Sequence, residues 1–474
     1  MPSNQPALPE SVVVVLFGAT GDLASRMVLP ALHEVHDRGL MPAHWRLVGC
    51  ATDVLDDDGF RDLVRASLER SELGVPAGWD PSAVRYAGGG FTAEDSGELP
   101  TVLAQVREEL RDTAGTEPVV LHFLAVPPVA FAAITKGLGA HGLADGARVV
   151  FEKPYGTSAE SFKELDALVK EVLTEDQVFR IDHFLGKEGV QTIYVLRFAN
   201  QLFGSEWSRA SIDQVQIDVP EDLDVANRAT FYEATGAALD MLVTHLFQVA
   251  GQVAMEPPAD LRDPESVIAA REAALRAFRP LDPVEDVVLG QFEGYTDIEG
   301  VPSDSVQDTF VAARLWVDTE RWRGVPFLLR TGKRMARKTQ RITLVLKPPF
   351  GPLAGELSEP NTIEICFAGD GEIRLGITVK TPGPDLTFSP GKAVLELDDV
   401  PGGEPISPYA SLIHDALIGD RSLFTTAEGL RAAFAAFAPL QGEARPQPEP
   451  YAPGTWGPAA AHRLAAPHRW MLGE

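Results

Sequence analysis

Cysteine is nearly absent from this chain: Cys50 and Cys366 are the only two in 474 residues. Both lie in apolar, strand-like runs, which excludes a disulfide framework and points to a reducing compartment. Long apolar stretches are missing as well. None approaches the ~18 residues of a membrane span, and Met1–Glu10 lacks the basic start of a signal peptide. Positive charge is in deficit, with 41 Lys+Arg against 68 Asp+Glu and a net charge of −27. Such a field repels nucleic acid and anionic membranes, so an anionic small molecule has to be met by a local patch of cations. No internal repeat is found, and no metal site is expected. The expectation is a cytoplasmic protein with neither nucleic acid nor membrane as a partner.

What is there belongs to an ordinary globular chain, 45% hydrophobic and 23% charged. The length accommodates two domains of roughly 150 residues or more. The pattern changes near residue 185, which divides the chain into 1–185 and 186–474. Val12–Phe17 is a continuous apolar run, as expected of a parallel strand buried on both faces. It leads into Gly18-Ala19-Thr20-Gly21-Asp22-Leu23-Ala24 and then a helical period over Arg26–Arg38. Strand, glycine turn and helix in that order make a cradle for a dinucleotide phosphate. A second strand, Trp45–Cys50, is followed by Ala51-Thr52-Asp53 and the acids Asp56–Asp58, with no cation. An acid here accepts from a ribose 2′-hydroxyl, whereas a 2′-phosphate calls for arginine. Asp53 is the candidate, and Asp56–Asp58 read as helix-capping acids. His122, on the strand Val119–Ala125, reads as a core histidine.

The apolar strand Val149–Phe151 ends in Glu152-Lys153-Pro154, which places Lys153 at a strand end beside a rigid loop. One helical segment later comes Arg180-Ile181-Asp182-His183-Phe184-Leu185-Gly186-Lys187-Glu188. Here Asp182 can steer an imidazole, and His183 and Lys187 can donate to an anion. Beyond it, Val215–Val219 alternates like a strand with one exposed face, and the long amphipathic segment Phe231–Met255 carries Asp240 and His245 five residues apart. Strands at Thr309–Trp316, Arg341–Leu346, Thr362–Phe367 and Ile373–Lys380 predict a large, mostly antiparallel sheet. Arg330–Arg341 holds six cations and no acid, which reads as the cationic island a phosphorylated metabolite needs. It has no aromatic interleaving, which sets it apart from a nucleic-acid patch.

Taken in order, these motifs resemble the glucose-6-phosphate 1-dehydrogenase family nearly end to end. The match runs from the Gly18–Ala24 turn through Glu152–Gly156, Arg180–Glu188, Leu196–Asn200 and Val325–Lys333 to Gly454–Pro458. The resemblance implies a Rossmann-type dinucleotide-binding domain followed by a β+α domain with a large sheet. It implies His245 as the base that takes the C1 hydroxyl proton of glucose 6-phosphate and Asp182 as the acid that orients it. His183 and Lys187 would hold the phosphate, and Glu221, Asp240 and Lys333 the sugar hydroxyls or phosphate. Lys338 would contact substrate, and Lys153 would bridge substrate and cofactor. Gly18, Ala19, Thr20, Gly21, Asp22, Leu23, Thr52 and Asp53 would line the cofactor.

Departures from the family pattern bear on the cofactor. Thr52 stands where the family usually has arginine, and Met27 where a lysine is common, so NADP, the family's usual cofactor, gives way here to an expectation of NAD or dual use. Phe184 replaces a common tyrosine, and Gly89-Gly90-Phe91 a Gly-Asp-Phe. A homodimer or homotetramer is implied, the broad sheet commonly forming the dimer interface. The rival readings are a same-fold dehydrogenase for another sugar phosphate and a non-catalytic dinucleotide-binding regulator.

Overall fold

The run Ser11–Phe17 is buried at all seven positions, and it forms the middle of the first sheet. The structure is a computed structural model that describes residues 7–71, 80–204, 206–225, 228–353 and 359–473, so the start of Met1–Glu10 lies outside the described residues. The chain divides into two compact units. The first comprises Met1–Gly186, Pro258–Ala269 and Ile406–Ala427. Its strands are β1 (Ser11–Phe17), β2 (His44–Cys50), β3 (Val84–Ala87), β4 (Val119–Leu124), β5 (Arg148–Phe151) and β6 (Val178–Arg180). They pair in the order β3-β2-β1-β4-β5-β6, every pair parallel. The order reverses between β1 and β4, and ligands of open parallel sheets bind outside the carboxyl ends at that point.

The helical period expected at Arg26–Arg38 is realised in two pieces, a π-helical turn Ala24–Val28 and the helix Leu29–Asp37. Asp56 caps the helix Asp57–Arg70 by accepting from the Gly59 N–H at 2.8 Å. Asp57, the first residue of that helix, instead accepts from the Tyr86 N–H at 2.7 Å and pairs with Arg85 at 2.8 Å. His122 is a core histidine, its Nε2 3.0 Å from the Leu143 carbonyl, and burial lowers its pKa to about 4.

The second unit comprises Lys187–Pro257, Ala270–Pro405 and Glu428–Glu474. Its strands are β7 (Ile212–Pro220), β8 (Val287–Phe292), β9 (Phe310–Leu315), β10 (Phe327–Gly332), β11 (Arg341–Leu346), β12 (Thr362–Cys366), β13 (Glu372–Lys380), β14 (Phe388–Glu396) and β15 (Glu449–Tyr451). They form one sheet in the order β14-β13-β12-β11-β7-β10-β9-β8-β15. Only β7·β10 and β8·β15 are parallel among these pairs.

Two expectations need correction in this unit. β7 alternates in sequence yet is buried at all but one position. Its polar face is covered by the chain's last residues, Gln216 donating to the Arg469 carbonyl at 2.6 Å and accepting from the Met471 N–H at 2.8 Å. The segment Phe231–Met255 is not one amphipathic helix but three pieces: Ala229–Ala237, the π-helical Ala238–Leu246 and Phe247–Ala254. The break falls at Gly236, whose φ of 62° suits glycine.

Candidate active site

The first unit contributes a cofactor cradle. Leaving β1, the chain turns at Gly18, φ 71°, whose N–H donates to the Cys50 carbonyl at 2.8 Å. A Cβ there would run into the Ala125 carbonyl, so only glycine allows the turn to pack against the end of β4. The cavity above it, about 500 Å³, is lined by Gly18, Thr20, Gly21 and Thr52 among others, a size and position that fit a nicotinamide dinucleotide. Ala19, Asp22 and Leu23 belong to the same turn but do not line the cavity. Gly89, Gly90, Phe91 and Pro127 do. The first three come from the loop after β3, a strand too short to announce itself in the sequence.

Asp53 sits beside the cradle, its Oδ2 accepting from the Thr20 hydroxyl at 2.5 Å. Tyr86 donates to the Asp53 carbonyl at 2.8 Å and fixes that loop. Arg61, the next cation along the chain, is committed elsewhere: it donates to the Pro81 and Val84 carbonyls and pairs with Asp58 at 2.7 Å. The exposed Met27 adds no charge.

The same unit carries Lys153, Asp182 and His183. The Lys153–Pro154 bond is cis. Asp182 is buried, and its Oδ1 accepts from the Phe184 N–H at 2.9 Å, an arrangement that fixes the carboxylate within its own turn. His183 packs edge-on to Phe184 at 4.9 Å and stacks at 6.5 Å on Tyr409, from the helix Pro408–Ile418. Arg180, by contrast, is buried and turned inward. It pairs with Glu175 at 2.7 Å and Asp166 at 3.3 Å beneath the Tyr155 ring, so it holds the unit together and is not an anion donor.

In the second unit, Lys187 is the N-cap of the helix Glu188–Ala199, where the helix dipole adds to its charge. Asp240 and His245 are both buried in the π-helical Ala238–Leu246. In an α-helix residues five apart lie about 140° apart around the axis. The wider i→i+5 turn brings them closer to one side. The start of this π-helix is held by Asp308, whose Oδ2 accepts from the Ala238 N–H at 2.7 Å and whose Oδ1 pairs with Arg445 at 2.6 Å. Burial pushes the Asp308 carboxyl pKa up, and Arg445 pulls it back.

Glu221 and Lys333 are brought together at 2.6 Å, with the Lys333 ammonium 5.6 Å from the centre of the Tyr232 ring. Tyr232 is buried beside them and had no signal in the sequence. Lys338 is exposed. The cationic island is largely neutralised. Arg330 pairs with Asp218 and Arg341 with Glu364, while Arg334 pairs with Asp224 and Lys333 with Glu221, leaving Arg337 and Lys338 without an ion-pair partner among the described residues.

Residues 15–192 match the family described as "Glucose-6-phosphate dehydrogenase, NAD binding domain", and residues 194–471 match "Glucose-6-phosphate dehydrogenase, C-terminal domain". Glucose-6-phosphate 1-dehydrogenase 1 of Mycobacterium tuberculosis is 36% identical, over 97% of this chain and 96% of its own. The chloroplastic glucose-6-phosphate 1-dehydrogenase of Solanum tuberosum is 33% identical, over 98% and 84%. Among solved structures, the Mycobacterium avium glucose-6-phosphate 1-dehydrogenase superposes with a TM-score of 0.84 at 32% identity, covering 98% of this chain and 99% of its own. A glucose-6-phosphate dehydrogenase in complex with its substrate glucose-6-phosphate superposes with a TM-score of 0.89 at 28% identity, covering 99% and 100%.

Proposed function

The chain belongs to the glucose-6-phosphate dehydrogenase family, and on that premise we propose that it oxidises D-glucose 6-phosphate at C1 to 6-phospho-D-glucono-1,5-lactone. The observation that carries the reading is a histidine buried in a π-helical turn with Asp240, in a chain that also bears the cradle at Gly18–Gly21. A nicotinamide dinucleotide held at that cradle supplies the hydride acceptor. His245 takes the proton of the C1 hydroxyl, and Asp182 orients the imidazole and stabilises the imidazolium. His183 and Lys187 hold the phosphate. Asp240 and the Glu221–Lys333 pair meet the sugar hydroxyls or phosphate, Lys338 contacts substrate, and Lys153 bridges sugar and cofactor. Binding energy from the phosphate, remote from C1, is of the kind that aligns the reacting carbon.

At the adenosine end, the Asp53 carboxylate and the absence of arginine at Thr52 favour NAD, or dual use of NAD and NADP. The two cysteines are buried and free, in keeping with a cytoplasmic location. Among the described residues no helix is long and apolar enough to cross a membrane. We also assign a homodimer to the β14 side of the large sheet. β14 is an edge strand, and Ile377, Val379, Val394 and Leu395 are exposed on β13 and β14, an apolar edge that needs a cover. Sedimentation at micromolar concentration should give twice the chain mass, and charged substitutions at Val394 and Leu395 should return it to the monomer. A monomer throughout contradicts the assignment.

The function itself is tested by steady-state oxidation of glucose 6-phosphate, read at the reduced nicotinamide, beside glucose and other sugar phosphates. Turnover of glucose 6-phosphate above all the others is expected. A higher kcat/KM for another sugar phosphate would move the chain to a different substrate within the same fold, and no turnover of any would make it a non-catalytic dinucleotide binder.

A further inference from the structure

Glu152 ends the apolar strand β5 and lies next to Lys153, yet the reaction as described gives it no task. It is 4% exposed. Its Oε2 receives a long hydrogen bond, 3.4 Å, from the Tyr409 hydroxyl, and its Oε1 is buried without a hydrogen-bond partner among the described residues. Tyr409 in turn stacks on His183. The carboxyl therefore lies one residue from Lys153 in one direction and one ring from His183 in the other, both of them in the first unit.

A carboxylate in such a place is short of donors. Two oxygens of an ionised group can accept about four hydrogen bonds. Among the described residues, the groups that act on this one are the Lys153 backbone N–H and ammonium on its own loop and the Tyr409 hydroxyl from the helix Pro408–Ile418. Arg180, on the neighbouring strand β6, is turned to Asp166, Glu175 and the Tyr155 ring. Burial accordingly pushes the Glu152 carboxyl pKa up to about 7, against the opposing pull of Tyr409 and Lys153. The group is neutral below that pH and ionised above it.

We propose that Glu152 is a positioning residue whose proton sets how tightly glucose 6-phosphate is held. Neutral, it accepts only weakly from the Tyr409 hydroxyl, leaves that ring against His183, and leaves the Lys153 ammonium to the substrate. Ionised, it draws Lys153 and Tyr409 toward itself and adds a negative charge near the residues that meet a dianionic ligand. Affinity then falls as pH rises through neutrality. The inference rests on the substrate reading above.

The test is calorimetric binding of glucose 6-phosphate to the full chain at closely spaced pH values from 6 to 9. The substrate phosphate titrates near ~6 and affects every variant alike, so the comparison is between ratios of Kd. The wild-type ratio, Kd at pH 8 over Kd at pH 6, is expected to exceed that of Glu152→Gln by roughly three- to tenfold. Tyr409→Phe removes a donor that favours the ionised form, so it should move the midpoint to higher pH. This second variant carries the test if Glu152→Gln does not fold. A purely structural role would alter affinity or stability without moving a pH midpoint. Equal ratios in wild type and Glu152→Gln, or an unmoved midpoint in Tyr409→Phe, overturn the proposal. Absence of binding by the wild-type chain at every pH would instead overturn the substrate assignment, and this inference with it.

Discussion

Replacing His245 with Asn should lower kcat for glucose 6-phosphate oxidation by about 10²–10⁴, the range a positioned general base contributes. KM should change much less. The C1 hydroxyl has to lose a proton as its hydride departs, and asparagine cannot accept one. Binding is expected to survive because the groups assigned to hold the sugar phosphate, Lys187 at the N-cap of Glu188–Ala199 and Lys333 beside Glu221, are untouched. The fold around the residue should survive as well. Asp308 and Arg445 hold the start of the π-helix independently of the imidazole, and asparagine is close to histidine in polarity and smaller in volume. Calorimetric binding of glucose 6-phosphate beside steady-state rates separates the two effects. Loss of binding together with rate would point to a structural histidine.

The second large effect concerns the cofactor. Thr52→Arg combined with Asp53→Ser should raise kcat/KM for NADP by about 10- to 100-fold relative to NAD, the equivalent of one charge-assisted contact to a 2′-phosphate. In the unaltered chain the Thr20 hydroxyl fixes the Asp53 carboxylate at 2.5 Å, and on the cofactor reading proposed above that carboxylate accepts from a ribose hydroxyl and repels a phosphate. Arg61 cannot take the missing arginine's place without leaving Asp58 and the Pro81 and Val84 carbonyls. Rates with NAD and NADP side by side check this. A strong preference of the unaltered chain for NADP would show that the pocket is read wrongly.

The parts of the molecule that could be read from sequence are those where a local pattern has one physical solution. An unbroken apolar run followed by a glycine turn leaves few alternatives to β1 and its cradle. The antiparallel strands β11, β12 and β13 were legible for the same reason. Short strands such as the three-residue β6 carry too little pattern, and the alternation of β7 misled because what covers its polar face, Arg469 and Met471, is some 250 residues away. The six cations of Arg330–Arg341 read as an island because the acids that pair with four of them, Asp218, Glu221, Asp224 and Glu364, lie in other stretches of the chain. Arg180 resembled its neighbours in the nonapeptide, and only packing shows that it faces inward. The π-helical turn that carries Asp240 and His245 has no sequence signature at all.

The dependence of kcat on pH at saturating substrate, measured for the wild-type chain, Asp182→Asn and His245→Asn together, decides whether His245 is the base. For the wild type a fall is expected on the acid side, where a protonated base can no longer accept the hydroxyl proton. In Asp182→Asn the plateau should drop, because the imidazolium that forms in the reaction loses its counter-charge. His245→Asn should show only residual activity and no such limb. An acid limb that persists unchanged in His245→Asn, or one that Asp182→Asn leaves in place at full rate, would contradict the assignment of His245 as the base.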